Sequence, residues 1–418
     1  MKINSVYDNF KYNYENAISQ FRNDQIFSIL AQPFNEIQVN FPVKRDNGNI
    51  EMFTGYRVQH NNMTGPYYGG IRFHPSVSME EIKSLSVWMT LKTALMGIPL
   101  SGSAGGINFN PYEYSDTEIE RISRRFIYNL GSNLGADYDI VGPDINTDSQ
   151  IMAWMLDTSL LSVKPHMRNA NRHAVTGKPV KLGGTLGSEE SSGQAIYYII
   201  ERWLRNNSID MNGLRVIVQG LGSSGFWAAK ILKRNGADII AVENYSGAVF
   251  NENGLNINLL KSHIRDRKPA KDYTDGSTIS HEEFMQLKGD VFISSALENQ
   301  INSKNAGSID VKLIVEGANG ATTPDGDKIL EKRGIPVIPG ILANSGRMIV
   351  DYFEWLQNKR SEYWLLSDIN RKLGLRVIDA YERIEASAAE HRCNLRQAAY
   401  IEALDKLQKV YRDRGIYP

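Results

Sequence analysis

The 418-residue chain has little of several features that would place a protein in a narrow class. It contains a single cysteine, Cys393, which excludes a disulfide within the chain and a site built from several cysteines, and which favours a reducing compartment. The chain also has no excess of positive or negative charge, because 47 Lys and Arg residues balance 47 Asp and Glu residues. This balance argues against nucleic acid or an anionic membrane as a partner, since both require clustered positive charge.

Long apolar runs are missing as well. No run approaches the roughly 20 residues that span a bilayer. The first 20 residues are polar and aromatic, without the apolar core of a signal peptide. His74 has no second metal-ligand side chain nearby, so no metal site is predicted and His74 is interpreted as structural. We therefore expect a soluble, cytoplasmic protein that does not bind a membrane.

The length and a hydrophobic content of 42% predict two domains with ordinary cores. The first region mixes helices and strands. A helix is predicted over residues 6–31, and alternating apolar residues around Asp46-Asn47-Gly48 predict a hairpin. Ser78 and Ser115 each begin an S-x-x-E pattern, which predicts a capping box at the start of a helix.

The pattern changes after about residue 190. A predicted helix, GQAIYYIIERWLRNN, precedes a short apolar strand, a glycine-rich turn, another helix and a second apolar strand. Further strands are predicted at DVFISSA, VKLIVEGA and IPVIP, and the last 70 residues are predicted to be helical. Strands that alternate with helices predict a parallel sheet covered by helices, which is a Rossmann-like α/β arrangement.

The glycine-rich turn has the G-x-G-x-x-G spacing of a dinucleotide site. Its predicted cofactor-binding residues are Gly220, Gly222, Ser223, Ser224 and Gly225. The glycines permit a tight turn, close approach of a pyrophosphate and close packing of helix on strand. Glu243 and Asn244 end the second strand, where an acid can bind a ribose hydroxyl. Glu243 favours NAD, whereas Ser246 would tolerate the phosphate of NADP, so both cofactors remain open, as does a tight turn without a ligand.

Several stretches together resemble the glutamate/leucine/phenylalanine/valine dehydrogenase family, and within it the hexameric glutamate dehydrogenases. The similarity begins near residue 30, and it rests on GYRVQHNN, GP..GGIRFHP, MTLK, GPDINT, TGKP..LGG, VEGANG.TTP, ILANSG, YFEW and LRQAAY. The resemblance implies a substrate-binding and assembly domain over residues 1–188, a Rossmann-like NAD(P)-binding domain over residues 189–345, and C-terminal helices, residues 346–418, that return to the first domain.

The resemblance also implies roles for residues that this chain keeps. Lys92 in MTLK matches a lysine that binds the α-carboxylate of the substrate, and Asp144 in GPDINT matches a catalytic aspartate. Ser192, Asn319 and Asn344 match positions on the cofactor side. Two plainer interpretations stay open: Lys92 as a solvated helix lysine, and Asp144 as a helix N-terminal residue or a turn former before Thr147.

Four of the predicted site residues depart from the family pattern. Ala104 replaces the catalytic lysine, and Tyr68 replaces the lysine that holds the distal carboxylate of glutamate. Asp351 replaces a serine at the same pocket, and Arg347 replaces a glycine. An alternative is that Tyr67-Tyr68 fills the emptied pocket, and that Arg347 pairs with Asp351 four residues on in a helix.

The replacements differ in consequence. A methyl group at position 104 cannot transfer a proton, and losing a positioned acid–base residue lowers the rate by about 10²–10⁴-fold. Tyr68 and Asp351 would disfavour a dicarboxylate and would better suit a cationic or hydroxyl-bearing side chain.

The sequence therefore favours a glutamate-dehydrogenase-like protein that binds NAD or NADP with little standard turnover, as a regulatory or structural subunit. The resemblance implies a homohexamer, or a hetero-oligomer with an active paralogue. Two alternatives stay open: an active dehydrogenase for another amino acid, and a sensor of a small amino-acid-like ligand.

Overall fold

The structure is a computed structural model that describes residues 6–21 and 25–415. The described strands are β1 (Asn35–Lys44), β2 (Ile50–Gln59), β3 (Tyr67–Phe73), β4 (Ser101–Ile107), β5 (Asp139–Pro143), β6 (Arg215–Gln219), β7 (Asp238–Asn244), β8 (Gly247–Phe250), β9 (Ser277–Ile279), β10 (Val291–Ser294), β11 (Leu313–Glu316) and β12 (Val337–Ile338).

The described helices are α1 (Val6–Ile18), α2 (Ile26–Leu30), α3 (Met79–Leu95), α4 (Asp116–Leu130), α5 (Ser149–Leu161), α6 (Ser191–Asn206), α7 (Ser223–Arg234), α8 (Ile257–Arg265), α9 (His281–Met285), α10 (Pro324–Lys332), α11 (Gly340–Ala343), α12 (Gly346–Arg360), α13 (Leu366–His391) and α14 (Leu395–Arg414). The two-domain α/β architecture that the sequence predicts is confirmed.

The described residues divide into two compact units. The first unit contains those of 21–188, 348–369 and 403–418, and the second unit contains those of 1–20, 189–347 and 370–402. The resemblance implies that all of residues 346–418 belong to the first domain, whereas in the structure residues 370–402 lie in the second unit. A hydrogen bond from the Tyr198 hydroxyl to the Asn370 carbonyl oxygen (3.2 Å) and an ion pair of Arg396 with Glu316 (2.8 Å) hold that segment there.

The first unit is built on a mixed sheet with the order β1-β2-β4-β3-β5 among the described strands. The predicted hairpin is confirmed, because β1 and β2 pair antiparallel from Asn35 opposite Gln59 to Lys44 opposite Ile50. A buried apolar cluster that includes Phe41, Phe73 and Phe126 joins this sheet to α4 and α5. The β3 strand lies parallel to both β4 and β5, so these three strands end at the same edge.

The second unit contains a sheet with the order β12-β11-β10-β6-β7-β8-β9 within the described part of the chain. The first five strands in this order are parallel, which confirms the predicted Rossmann-like arrangement. The last two strands, β8 and β9, add antiparallel pairs at the β7 side and were not predicted. The carboxyl ends of β6, β7, β10 and β11 therefore meet at one edge of the sheet.

Two predicted helix starts turn out differently. Ser115 forms a complete capping box with Glu118, as the sequence predicts. Ser78 accepts a hydrogen bond from the Glu81 backbone N–H (3.3 Å), but the Glu81 carboxylate binds Arg72 (2.5 Å) and the Ser76 hydroxyl (3.2 Å). A charged partner outcompetes the backbone N–H that would complete the second capping box.

The helix predicted over residues 6–31 is interrupted, and this prediction is therefore wrong in its middle. The α1 helix ends at Ile18 and α2 begins at Ile26, while residues 22–24 lie outside the described part. The Ser19 hydroxyl donates to the Asn16 carbonyl oxygen (2.6 Å), a local bond that competes with helix continuation.

Candidate functional site

One face of the first unit's sheet carries the two most informative departures. Ala104 is 4% exposed on β4, and Tyr68 on β3 pairs with Gly102 of β4. Residues two apart on a strand share a face, so Ala104 and Tyr68 lie on the same face of the sheet. The α3 helix packs on this face, because a Cβ at Gly102 would lie 2.2 Å from the Thr90 backbone nitrogen. Position 104, for which the resemblance predicts the catalytic lysine, is thus a buried strand residue beside the helix that bears Lys92.

Tyr68 and Asp351 form a buried hydrogen bond. The Tyr68 hydroxyl donates to Asp351 Oδ2 at 2.6 Å, and both residues are buried. A Cβ on Gly142 would lie 3.0 Å from the Tyr68 hydroxyl, 3.1 Å from Asp351 Oδ2 and 3.2 Å from the Thr176 hydroxyl. The glycine therefore lets three polar groups converge. Arg347 lies four residues before Asp351 on α12, and its pairing with Asp351 stays a prediction.

Lys92 is buried rather than solvated, so the interpretation as a solvated helix lysine is wrong. Its side chain lies near the carboxyl end of α3 and the residue is 4% exposed. Burial lowers the pKa of Lys92 to about 8, while Asp144 raises it and Arg72 lowers it further. The result is an amine that changes charge close to neutral pH and lies within electrostatic reach of a carboxylate.

Asp144 follows β5 and forms a turn with Thr147, whose hydroxyl accepts from the Asp144 backbone N–H (2.8 Å). Its carboxylate accepts from Arg72 Nε at 3.1 Å. The N-terminal cap of α5 is Asp148, whose side chain accepts from the Ile151 backbone N–H, so the helix-cap interpretation of Asp144 is wrong. The turn-former interpretation is confirmed, and the carboxylate remains part of a charged group with Lys92 and Arg72.

A buried ion pair next to these residues was not predicted. Lys178 Nζ donates to Glu354 Oε1 and to the Val175 carbonyl oxygen, both at 2.8 Å, and both charged side chains have no exposed surface. Burial raises the pKa of the Glu354 carboxyl, and Asp351 raises it further, whereas Lys178 lowers it. Lys178 stands in the TGKP motif, but its partner is 176 residues away, which sequence spacing cannot connect.

The predicted dinucleotide turn lies in the second unit between β6 and α7, as its spacing requires. Gly220 has a φ of +90°, which favours glycine. A Cβ at Gly225 would lie 1.9 Å from the Gly220 carbonyl oxygen, so only glycine allows helix and strand this close. Gly222 caps α7 with open space around it. Ser223 is exposed and donates to the Glu189 carbonyl oxygen (3.2 Å), and Ser224 is half-buried in the first turn of α7.

Glu243 at the end of β7 has a partner on each carboxylate oxygen. Oε1 accepts from His281 Nδ1 at 2.7 Å, and Oε2 accepts from Gln219 Nε2 at 3.0 Å. Gln219 ends β6, and His281 begins α9. The carboxylate therefore has a fixed orientation at the edge of the sheet where the carboxyl ends of the parallel strands meet.

The neighbouring Asn244 and Ser246 form a tight turn. Asn244 Oδ1 accepts from the Ser246 backbone N–H (2.8 Å) and from the Ser246 hydroxyl (2.6 Å). The same hydroxyl accepts from the Ala270 backbone N–H at 2.8 Å. The Ser246 hydroxyl therefore has a hydrogen-bond partner on each side.

The three other predicted cofactor-side residues also belong to the second unit. Asn344 Nδ2 donates to Asn319 Oδ1 at 2.9 Å, which brings these two residues together. Ser192 lies in the first turn of α6 and is 9% exposed.

Two features are absent from the described residues. Residues 6–21 and 25–415 contain no group of three or more His, Cys, Asp or Glu side chains that could hold a metal ion. No helix in these ranges is long and apolar enough to cross a membrane.

The chain is similar to known proteins over nearly its whole length. Residues 183–415 match the Glutamate/Leucine/Phenylalanine/Valine dehydrogenase family, and residues 33–160 match the Glu/Leu/Phe/Val dehydrogenase dimerisation domain. The glutamate dehydrogenase of Thermotoga maritima is 38% identical over 414 residues, which is 97% of this chain and 99% of the relative. The catabolic NAD-specific glutamate dehydrogenase of Bacillus subtilis is 38% identical over 396 residues, which is 93% of this chain and 91% of the relative.

Solved structures give the same result. A hetero-hexameric glutamate dehydrogenase from Thermus thermophilus, in a leucine-bound form, has a TM-score of 0.93 at 31% identity over 99% of this chain and 98% of the other. Glutamate dehydrogenase from Peptoniphilus asaccharolyticus has a TM-score of 0.81 at 33% identity, with the same coverage. Together with the glycine turn and the sheet geometry, these matches show that the chain belongs to the glutamate/leucine/phenylalanine/valine dehydrogenase family.

Proposed function

We propose that this protein binds NAD through its second unit and acts as a regulatory or structural subunit with little standard glutamate deamination. The observation that carries the proposal is Ala104, a buried methyl group at the position of the family's catalytic lysine. Oxidative deamination requires a group that moves protons at the reacting carbon, and a methyl group supplies none. The loss is about 10²–10⁴-fold in rate, or about 3–5 kcal/mol of activation free energy.

The pocket for the substrate's side chain supports the same proposal. Asp351 accepts from Tyr68 where relatives present a lysine and a serine to a carboxylate. A second carboxylate beside Asp351 would be repelled, because like charges at short distance disfavour each other. Glutamate is therefore a poor ligand for this pocket, and a side chain without negative charge fits it better.

NAD is favoured over NADP by Glu243 and by the bonded state of Ser246. A carboxylate at this position accepts hydrogen bonds from ribose hydroxyls and repels a 2′-phosphate. Several relatives, including those of Bacillus subtilis and Staphylococcus aureus, are named NAD-specific glutamate dehydrogenases. This supports NAD as the natural dinucleotide.

The second part of the proposal concerns assembly. The similar Thermus thermophilus structure is a hetero-hexamer, and the match to a dimerisation domain covers residues 33–160. We expect this chain to form a hexamer, alone or with an active paralogue. Native mass spectrometry of the purified chain, and of the chain co-expressed with a paralogue from the same genome, tests this expectation. A monomer in both preparations would contradict it.

Turnover is tested with a panel of amino acids and both cofactors, measured at the absorbance of the reduced nicotinamide. We expect no rate above about one-hundredth of a typical relative. NADH fluorescence on the same preparation serves as the binding control. Robust turnover of any amino acid by the unaltered chain would contradict the proposal and favour the alternative of an active dehydrogenase with a different substrate.

The matched variant restores the missing groups. Ala104→Lys combined with Tyr68→Lys and Asp351→Ser is expected to raise glutamate turnover at least 100-fold over the unaltered chain, since a proton-transfer group and a carboxylate site return together. Ala104→Met is the control for bulk without charge. No gain in a folded triple variant that binds NADH would mean that the lost activity has another origin.

A further inference from the structure

A chain of four hydrogen-bonded side chains crosses the carboxyl ends of three neighbouring strands in the second unit. The Ser294 hydroxyl on β10 donates to Gln219 Oε1 on β6 at 3.1 Å. Gln219 Nε2 donates to Glu243 Oε2 on β7 at 3.0 Å, and His281 Nδ1 donates to Glu243 Oε1 at 2.7 Å. Strands β10, β6 and β7 are adjacent in the sheet, so these hydrogen-bonded side chains follow one edge of the sheet.

The exposed fraction of these four side chains rises from Ser294 to His281. Ser294 is 0% exposed and Gln219 is 2% exposed, whereas the side chains of Glu243 and His281 are 10% and 57% exposed. A carboxylate only accepts hydrogen bonds, so Gln219 and His281 both act as donors. Each carboxylate oxygen can accept a second bond, which leaves acceptor capacity at the solvent side of Glu243.

His281 is itself held by its helix. It is the first residue of α9, directly after Ser280, which forms a complete capping box with Glu283. The short helix start therefore fixes the backbone from which the imidazole reaches Glu243. Because Nδ1 donates to the carboxylate, a neutral His281 has its proton on Nδ1.

We propose that His281 and Gln219 are positioning residues that hold the Glu243 carboxylate towards the adenosine ribose of NAD, and that His281 thereby sets the preference for NAD over NADP. The inference rests on the proposed binding of NAD. A glutamate without these donors would rotate away from a 2′-phosphate and relieve the repulsion. A glutamate that accepts hydrogen bonds on both oxygens cannot rotate in this way. The ribose hydroxyls of NAD can therefore donate to an acceptor of fixed position, whereas the 2′-phosphate of NADP is repelled by a negative charge of fixed position.

The test is the affinity for NADH and NADPH, measured by fluorescence titration of the full chain. His281→Ala is expected to weaken NADH binding about three- to tenfold, because the carboxylate loses its fixed orientation but still accepts from the ribose, and to leave NADPH binding unchanged or improved. His281→Asn, which keeps a donor, is expected to restore part of the NADH preference. His391→Ala, which changes another histidine of the second unit, is the matched control and is expected to change neither affinity.

A double variant separates positioning from a general structural effect. If His281 acts through Glu243, adding His281→Ala to Glu243→Ala changes NADH affinity less than twofold. A loss of the same size with and without Glu243 would overturn the inference, as would an unchanged NADH-to-NADPH ratio in His281→Ala. Failure of the unaltered chain to bind either dinucleotide would instead remove the proposed function on which the inference rests. Thermal unfolding midpoints of all variants show whether the fold is intact.

Discussion

Lys92 is a charged group that the fold holds out of water, and this has a measurable consequence. Its pKa falls from an ordinary value near 10.5 to about 8, chiefly because burial disfavours the ammonium. Below pH 8 the amine is charged in both the folded and the unfolded chain, so the folded state carries an unfavourable free energy of about 3 kcal/mol. Lys92 therefore lowers the stability of the fold, and we expect its role to be in binding.

We therefore predict that Lys92→Met raises stability at pH 7 and weakens binding of any amino-acid ligand. Between pH 8 and 10.5 the unfolded chain binds the extra proton, so the unaltered protein gains stability as pH rises and the advantage of the variant shrinks. Thermal unfolding midpoints at pH 7 and pH 10 check this. Lys83→Met, at a more exposed lysine on the same helix, is the control. An equal difference at both pH values would contradict the assigned burial effect.

At this scale the sequence identified which residue types stand at the site, but not their partners. Ala104, Tyr68 and Asp351 are visible as departures in local motifs. The bond from Tyr68 to Asp351 joins residues 283 positions apart, and that from His281 to Glu243 joins residues 38 apart. No local spacing encodes either contact, because each depends on which helix the fold brings next to a strand.

Among the elements, the segment after β5 and helix α12 are joined by the ion pair of Lys178 and Glu354. Neither side chain reaches water, and removing one partner of a buried pair leaves an uncompensated charge. We predict that Lys178→Met lowers the free energy of unfolding by about 3–5 kcal/mol at pH 8. The measurement is chemical denaturation followed by circular dichroism.

The pH dependence of this effect has a definite sign. The folded-state pKa of Glu354 is already raised by burial, and loss of Lys178 raises it further. The folded variant therefore takes up a proton more readily than the unfolded chain, and its deficit is expected to be smaller at pH 5 than at pH 8. Lys178→Met combined with Glu354→Met is the control, and it should recover part of the loss with no such pH dependence. A deficit that grows towards pH 5 would contradict the prediction.

Element by element, periodicity and turn signals predicted the hairpin, α3, α4 and the alternation of the second unit. They missed the short strands β8 and β9, which pair with each other and, through β8, with β7. They also assigned Glu81 to a capping box, whereas in the structure the Glu81 carboxylate binds Arg72. Such competition between a local cap and a charged residue nine positions away is settled by tertiary packing.

For the molecule as a whole, the proposed NAD site lies entirely in one of two units. We predict that NADH slows amide hydrogen exchange most strongly in residues 220–225 and 243–244, since bound ligand suppresses local opening. Gly225→Ala is the control, because a Cβ 1.9 Å from the Gly220 carbonyl oxygen must shift the turn. Protection confined to the first unit, or an equal effect in the variant, would contradict the assignment of the site.

The course of the backbone has a consequence for biosynthesis. The chain passes from one unit to the other after residues 20, 188, 347, 369 and 402. Buried residues of the first unit include Leu407 and Tyr411, and the Tyr411 hydroxyl accepts from Asn61 at 2.6 Å. During synthesis on the ribosome, the core of the first unit can therefore be completed only after helix α14 has emerged. The nascent protein would spend most of its translation with exposed apolar surface, which is the condition under which chaperones bind.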